Sequence, residues 1–208
     1  MTEEEERGAV RRVLAGDTAA FESVVLAYEK LLYNISLRML GSPEDAADAV
    51  QETFLRAFSS LNAYRGEGKL SGWLCRIAGN ICLDVLRRRR ETVSLSVEGG
   101  EGETVQWDIP DERQDPAALT ERKELRERVR RALEELPPDF RLPLLLREYG
   151  GLHYDEIARS LDLDPGTVKT RIFRARKKLC AILSADGNYF SEAPSNHQKR
   201  ERRGGGKQ

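Results

Sequence analysis

Two short stretches of this 208-residue chain carry residue types suited to nucleic acid. The first is Tyr64, Arg65, Lys69, Trp73, Arg76 and Asn80. Aromatics interleaved with cations suit a single strand: bases stack on rings, cations hold the phosphate backbone, and an amide reads a base edge. Core packing is the competing use of Tyr64 and Trp73. The second stretch runs from Tyr154 to Leu161, through a short turn, and on from Thr167 to Arg176. Ile157, Ala158 and Leu161 make one apolar stripe; Val168, Ile172 and Leu179 make another. Small Ala158 lets two helices cross closely, Asp164 can cap the second, and Pro165 fits its first turn. This is a helix-turn-helix pattern, in which the second helix enters the major groove and presents side chains near its start to base edges. Thr167, Lys169, Thr170, Arg171, Arg174, Arg176, Lys177 and Lys178 follow that start. Arginine forks onto guanine, whereas lysine suits phosphate as a point charge. An ordinary helical hairpin with a solvated basic face is the alternative.

Charge supports a polyanionic partner. The chain has 34 basic and 35 acidic residues, yet they are segregated. From Tyr64 to Arg90 seven basic residues face two acidic ones; from Glu91 to Glu124 ten acidic residues face three basic ones. From Asp164 to Cys180 six basic residues face one acidic residue. Two basic blocks therefore flank an acidic one, and both fall on predicted helices.

These side chains need elements to hold them. Phe21, Val24, Val25, Tyr28, Leu31, Leu32, Ile35 and Met39 recur at helical spacing, with Asp17 as a cap and Gly41 as a stop. Ser42-Pro43-Glu44-Asp45 then reads as a helix start, and Ala46, Val50, Phe54, Leu55 and Phe58 mark the face that follows. A third helix is predicted over 70–90, with Trp73, Leu74, Ile77, Ile81, Val85 and Leu86 on one face. Residues 91–115 have few apolar residues and no period, which predicts a flexible acidic linker. Beyond it, Asp115-Pro116 opens a helix marked by Leu119, Leu125, Val129, Leu133 and Leu136, which Pro137-Pro138 ends. A helix from Pro138 to Tyr149, stopped by Gly150-Gly151, precedes the turn motif. The predicted fold class is all-α, with two small helical domains over 1–90 and 116–184 and a disordered basic tail over 185–208.

Other classes are disfavoured. No run approaches 18 apolar residues, so no membrane span or insertion is expected. The acidic start MTEEEERGAV lacks the pattern of a secretion signal. Cys75, Cys82 and Cys180 are odd in number and far apart, which fits a reducing cytoplasm rather than a disulfide framework. Cys75 and Cys82 stand seven apart on one helix face and are read as packing residues rather than a redox sensor. With His153 and His197 alone, no metal cluster, nucleophile–base pair or phosphate loop is visible, so neither a cofactor nor an enzyme is expected.

The order of these pieces resembles a known family. Asp48, Gln51, Glu52, Phe54, Leu55 and Phe58, then Tyr64-Arg65-Gly66 with Trp73, Arg76 and Asn80, then Gly166-Thr167-Val168-Lys169-Thr170-Arg171 with Arg174 and Arg176, resemble the extracytoplasmic-function group of bacterial sigma factors, sigma-E-like members in particular. The resemblance spans about residues 10 to 183. It implies that the first domain is sigma region 2 and the second sigma region 4. It also implies a factor without catalysis of its own, which binds core RNA polymerase and directs it to promoter DNA. Asp48, Gln51, Glu52, Phe54, Leu55 and Phe58 match the segment that grips the clamp of the large polymerase subunit, with at least one of Phe54, Leu55 and Phe58 expected inside the core. Tyr64, Arg65, Lys69, Trp73, Arg76 and Asn80 match the element that pockets a flipped base of the melted −10 element. Thr167, Lys169, Thr170, Arg171, Arg174, Arg176 and Lys178 fall on the helix that reads the −35 element. A cognate anti-sigma factor is implied as a further partner, and the acidic linker would run through the polymerase cleft.

Three departures stand out. His153 replaces a small hydroxyl cap, Asp162 must adopt a left-handed conformation where Gly or Asn is usual, and Pro143 lies inside a helix. Two other readings stay in view. A stand-alone duplex-binding regulator leaves Asp48–Phe58 and Tyr64–Asn80 without a role, and an RNA-binding adaptor predicts single-strand binding regardless of promoter.

Overall fold

The computed structural model describes residues 1–64, 66, 68–95 and 116–185, with 92–95 and 116–122 by backbone alone. The described residues form helices and turns with no strand, as the all-α reading expects. The first half holds α1 (Glu3–Leu14), α2 (Phe21–Leu40), α3 (Pro43–Ser59) and α4 (Leu70–Leu95). Short 3-10 turns at Thr18–Ala20 and Leu61–Ala63 join them. The second half holds α5 (Pro116–Glu134), α6 (Pro138–Glu148), α7 (Tyr154–Leu161) and α8 (Pro165–Ala185).

Helix ends follow local chemistry. Ser42 Oγ accepts from the Asp45 N–H at 3.2 Å, and Pro43 opens α3, as its sequence predicts. Gly41, at φ 76°, ends α2 in the left-handed region that glycine enters without strain. Asp162 enters the same region at φ 53° after α7. Asp164 Oδ2 accepts from the N–H groups of Gly166 and Thr167 at 2.8 and 3.2 Å, capping α8. Before α7, Glu156 accepts from the His153 N–H at 2.6 Å, so the reciprocal half of a capping box holds that start.

Three expectations change. Asp17 does not cap α2, which starts at Phe21; its carboxylate takes Arg12 at 2.6 Å instead. The helix predicted over 70–90 continues to Leu95, so 91–95 are helical rather than linker. The remaining linker, 96–115, and the tail beyond Ala185 lie outside the described residues. Finally, α1 has no counterpart in the sequence reading. Its signal was Thr2 and Glu5: Thr2 Oγ1 accepts from the Glu5 N–H at 3.3 Å and the Glu5 carboxylate from the Thr2 N–H at 2.7 Å.

The buried side of α4 also differs from the expected one. Leu70, Leu74, Cys75, Ala78, Ile81 and Cys82 are buried, while Trp73, Ile77, Val85 and Leu86 flank them half-buried. That side packs on α2 and α3, but also on α6 and α7, so one core runs through both halves. Two glycines make the close approach possible. A Cβ on Gly79 would stand 2.9 Å from Leu142 Cδ2, and one on Gly72 3.3 Å from Leu152 Cδ2. A buried cation ties the junction. Arg141 Nη1 donates to Met39 O at the end of α2 at 2.8 Å, and Nη2 donates to Glu134 O and Leu136 O at 2.6 and 2.9 Å. Nearby, the Arg38 guanidinium lies 3.9 Å from the centre of the Tyr149 ring.

Hydrogen bonds to a charged donor contribute about 1.5–3 kcal/mol each, and stranded buried carbonyls add to the loss. Arg141→Ala should therefore lower stability in urea unfolding of the full chain by about 2 kcal/mol or more; an unchanged midpoint would remove Arg141 from the junction. Burial pushes the Cys75 thiol up to about 12 and the Cys82 thiol up to about 11, so little thiolate forms at pH 8. In a thiol-reagent assay the exposed Cys180 should react promptly, and Cys75 and Cys82 only on unfolding. Prompt labelling of all three would contradict the packing role.

Candidate nucleic-acid interface

The face of α4 opposite its core stripe carries Lys69, Trp73, Arg76 and Asn80 at steps of four, three and four, on one side of the helix. Lys69, Arg76 and Asn80 are exposed and Trp73 is half-buried. The Tyr64 ring packs against Trp73, centroids 5.3 Å apart and tilted by 41°. Its hydroxyl donates to Gly68 O at 2.9 Å. Burial pushes the Tyr64 phenol up, which keeps it a neutral donor. A cavity of about 210 Å³ opens between these rings and α7, lined by Tyr64, Lys69, Trp73 and Arg76 with Glu156 and Arg159. Packing and stacking are thus not exclusive here: each ring rests on the core and turns part of its surface to the cavity. Arg65 lies outside the described residues.

The basic run at the end of α4 is partly spent on structure. Arg87 pairs with Asp84 at 2.8 Å, and Arg89 donates to Leu40 O at 3.0 Å and to the Asp45 carboxylate. The Arg89 contacts hold α4 against the α2–α3 junction.

The exposed face of α3 is a second surface. Asp48 and Gln51 are exposed, and Glu52 accepts from Arg56 Nε at 2.6 Å. Phe54 is the inward residue of its group, edge-on to Phe21 at 6.3 Å. Leu55 is 57% exposed and Phe58 41%, although Phe58 also rests its edge on Phe21. The sequence pattern had placed Leu55 and Phe58 on the apolar face; they form its outer border. Leu26 on α2, 71% exposed, was not singled out by sequence. Large apolar side chains left in water mark contact surfaces.

The third surface is α8. Val168, Ile172 and Ala175 are buried, which turns Thr167, Lys169, Thr170 and Arg174 outward and leaves Arg171 half-buried. Thr170 donates to Gly166 O at 2.9 Å. Arg176 is paired with Glu148, and Lys178 donates to Glu135 O at 2.7 Å at the end of α5. Both therefore hold α8 on its own domain. Phe173, 67% exposed between Arg171 and Arg174, was missed; its apolar type at an outward position was the available signal.

Residues 24–92 match sigma-70 region 2, and residues 126–179 match sigma-70 region 4. The RNA polymerase sigma-H factor of Pseudomonas aeruginosa is 34% identical over 189 residues, 88% of this chain and 96% of that protein. The chain belongs to the sigma-70 family, in its extracytoplasmic-function group. It is a transcription factor of the polymerase, acting in promoter-specific initiation. The sigma-E factor of Escherichia coli K12 is 38% identical over 172 residues, 82% of this chain and 90% of that one. Among solved structures, CnrH in complex with the cytosolic domain of CnrY aligns at a TM-score of 0.64 and 26% identity, covering 88% of this chain and 99% of CnrH. The sigma factor RpoE of Bartonella quintana, in complex with the anti-sigma factor NepR, shares the fold at a TM-score of 0.61 and 23% identity over 80% of this chain and 98% of that one. Among the described residues no helix of this sigma factor is long and apolar enough to cross a membrane.

Proposed function

We propose that this sigma factor divides its work among the three surfaces, with no catalytic group of its own. The observation that carries the reading is the outer stripe of α4, where Lys69, Trp73, Arg76 and Asn80 line up beside Tyr64 in the same chain as a capped helix-turn-helix. Opening a promoter costs a few kcal/mol per flipped base, and a surface that binds the exposed strand offsets it. Tyr64 and Trp73 stack on the unpaired −10 base, Lys69 and Arg76 hold its phosphates, and Asn80 reads an edge. Arg65 joins this group by resemblance.

The outward face of α8 reads the −35 duplex through Thr167, Lys169, Thr170, Arg171 and Arg174. Phe173 adds an apolar contact of the kind that recognises a thymine methyl group. Arg176 and Lys178 act on DNA only by exchanging their present partners. Asp48, Gln51, Glu52, Leu55 and Phe58 dock core polymerase, with Phe54 holding the face from beneath. An anti-sigma factor covers this same exposed apolar edge; CnrH is solved with the cytosolic domain of its partner. The domains are residues 1–90, extended by the end of α4 to Leu95, and 116–184; the acidic segment between them follows the polymerase cleft by its charge, and the workplace is the cytoplasm.

Run-off transcription with bacterial core polymerase and a pool of upstream DNA fragments tests the whole reading. Discrete transcripts that need the chain support it, whereas tight duplex binding without polymerase favours a stand-alone regulator. Asn80→Ala should slow promoter opening and leave polymerase binding unchanged; loss of polymerase binding would remove Asn80 from the −10 surface. Arg171→Ala and Phe173→Ala should each weaken binding to the cognate −35 duplex by roughly 1–3 kcal/mol relative to scrambled duplex. Equal loss on both duplexes makes Arg171 a phosphate contact and removes Phe173 from base readout. Leu55→Asp should weaken core-polymerase binding by about 2 kcal/mol, the scale of a central interface residue; unchanged affinity would move the docking surface elsewhere.

A further inference from the structure

α1 precedes the segment that matches sigma-70 region 2, and its buried stripe contains a charge. Glu6, 8% exposed, lines up with Ala9, Val10 and Val13 on the side that faces the core. A leucine would fill such a position at no electrostatic cost. A buried carboxylate persists only where donors meet it. Two do, from two other helices. The Tyr28 hydroxyl of α2 donates to Glu6 Oε1, and the backbone N–H of Leu70 donates to Oε2 at 3.4 Å.

Leu70 is the first residue of α4, where backbone N–H groups lack intrahelical acceptors and the helix dipole favours negative charge. Glu6 thus caps α4 from 64 residues away. α1 also packs on the Leu61–Ala63 turn. That turn leads into the Tyr64–Lys69 loop, and Leu70 leads out of it, so α1 touches both stems of the loop. Burial pushes the Tyr28 phenol up first and the Glu6 bond pushes it further; the Glu6 charge acts the same way on Tyr64. The carboxylate therefore sits within electrostatic reach of the ring that lines the cavity.

We propose that Glu6 is a positioning residue for the −10 surface: it fixes the start of α4 and the Tyr64 ring in the geometry that accepts an unstacked base, without touching DNA. The proposal rests on the −10 reading above. Glutamine can keep both contacts, its carbonyl accepting from Leu70 and its amide donating to the Tyr28 oxygen. Alanine keeps neither, and Tyr28→Phe removes one.

The test uses holoenzyme assembled from bacterial core polymerase and the full chain. The probe is a fluorescent single strand covering the −10 region of a promoter that the wild-type chain selects in run-off assays, beside a scrambled strand of equal length. Glu6→Ala should reduce the preference for the −10 strand by about tenfold, the scale of one specific base contact. Core-polymerase affinity and −35 duplex binding should stay within about twofold, and Glu6→Gln should restore most of the preference. Tyr28→Phe should give an intermediate loss and decides the matter if Glu6→Ala does not fold. Retention of the full preference in Glu6→Ala, or in Tyr28→Phe where the alanine variant is unfolded, overturns the proposal. So does a parallel loss of core affinity and of both strands, which marks a merely structural group. A wild-type chain that binds both strands alike overturns the −10 reading itself, and this proposal with it.

Discussion

Leu70, Leu74, Cys75, Ala78, Ile81 and Cys82 are buried along one side of α4, and the 26-residue helix cannot turn about its axis without exposing them. Burying a large aliphatic side chain is worth about 1.5–3 kcal/mol, so several together fix the rotation firmly. Because a helix repeats every 3.6 residues, fixing the inner side also fixes the outer one. Lys69, Trp73 and Arg76 are held toward the cavity, and Asn80 to the same side of the helix, by residues that never meet it. The chemistry of the surface is thus a consequence of packing on the reverse face.

The same helix is where the two halves of the chain meet. Gly72 and Gly79 open notches into which Leu152 and Leu142 fit, and Arg141 reaches back to Met39 O. Packed this way, α7 forms one wall of the cavity beside Tyr64 and Trp73. Its lining combines Glu156 and Arg159 of the second half with Lys69 and Arg76 of the first. Two of the three Arg141 hydrogen bonds, to Glu134 O and Leu136 O, stay within the second half, and the third, to Met39 O, crosses to the first.

Charge along the chain is used twice. Arg87, Arg89, Arg176 and Lys178 belong to basic blocks that suggest nucleic acid, yet each is engaged with a carboxylate or a carbonyl of its own fold. Lys69, Arg76, Lys169 and Arg174 carry exposed cations on the faces opposite the core. A charge count cannot separate the two sets, because both occupy helix positions of the same type.

Local chemistry made much of this protein legible from sequence. Period and caps placed α2, α3, α6, α7 and α8, since Ser42, Gly41, Asp164 and the Pro137-Pro138 pair act within a few residues of themselves. The resemblance carried by Asp48–Phe58, Tyr64–Asn80 and Gly166–Arg176 led to the sigma-70 family without any coordinates. What depended on distant partners was not legible. Asp17 chose Arg12 over a capping role, Phe54 turned inward while Leu55 and Phe58 stayed out, and Glu6 found its donors on α2 and α4. Each outcome is a competition between groups far apart in the chain. Only the packed structure brings them within the few ångströms over which hydrogen bonds and contacts act.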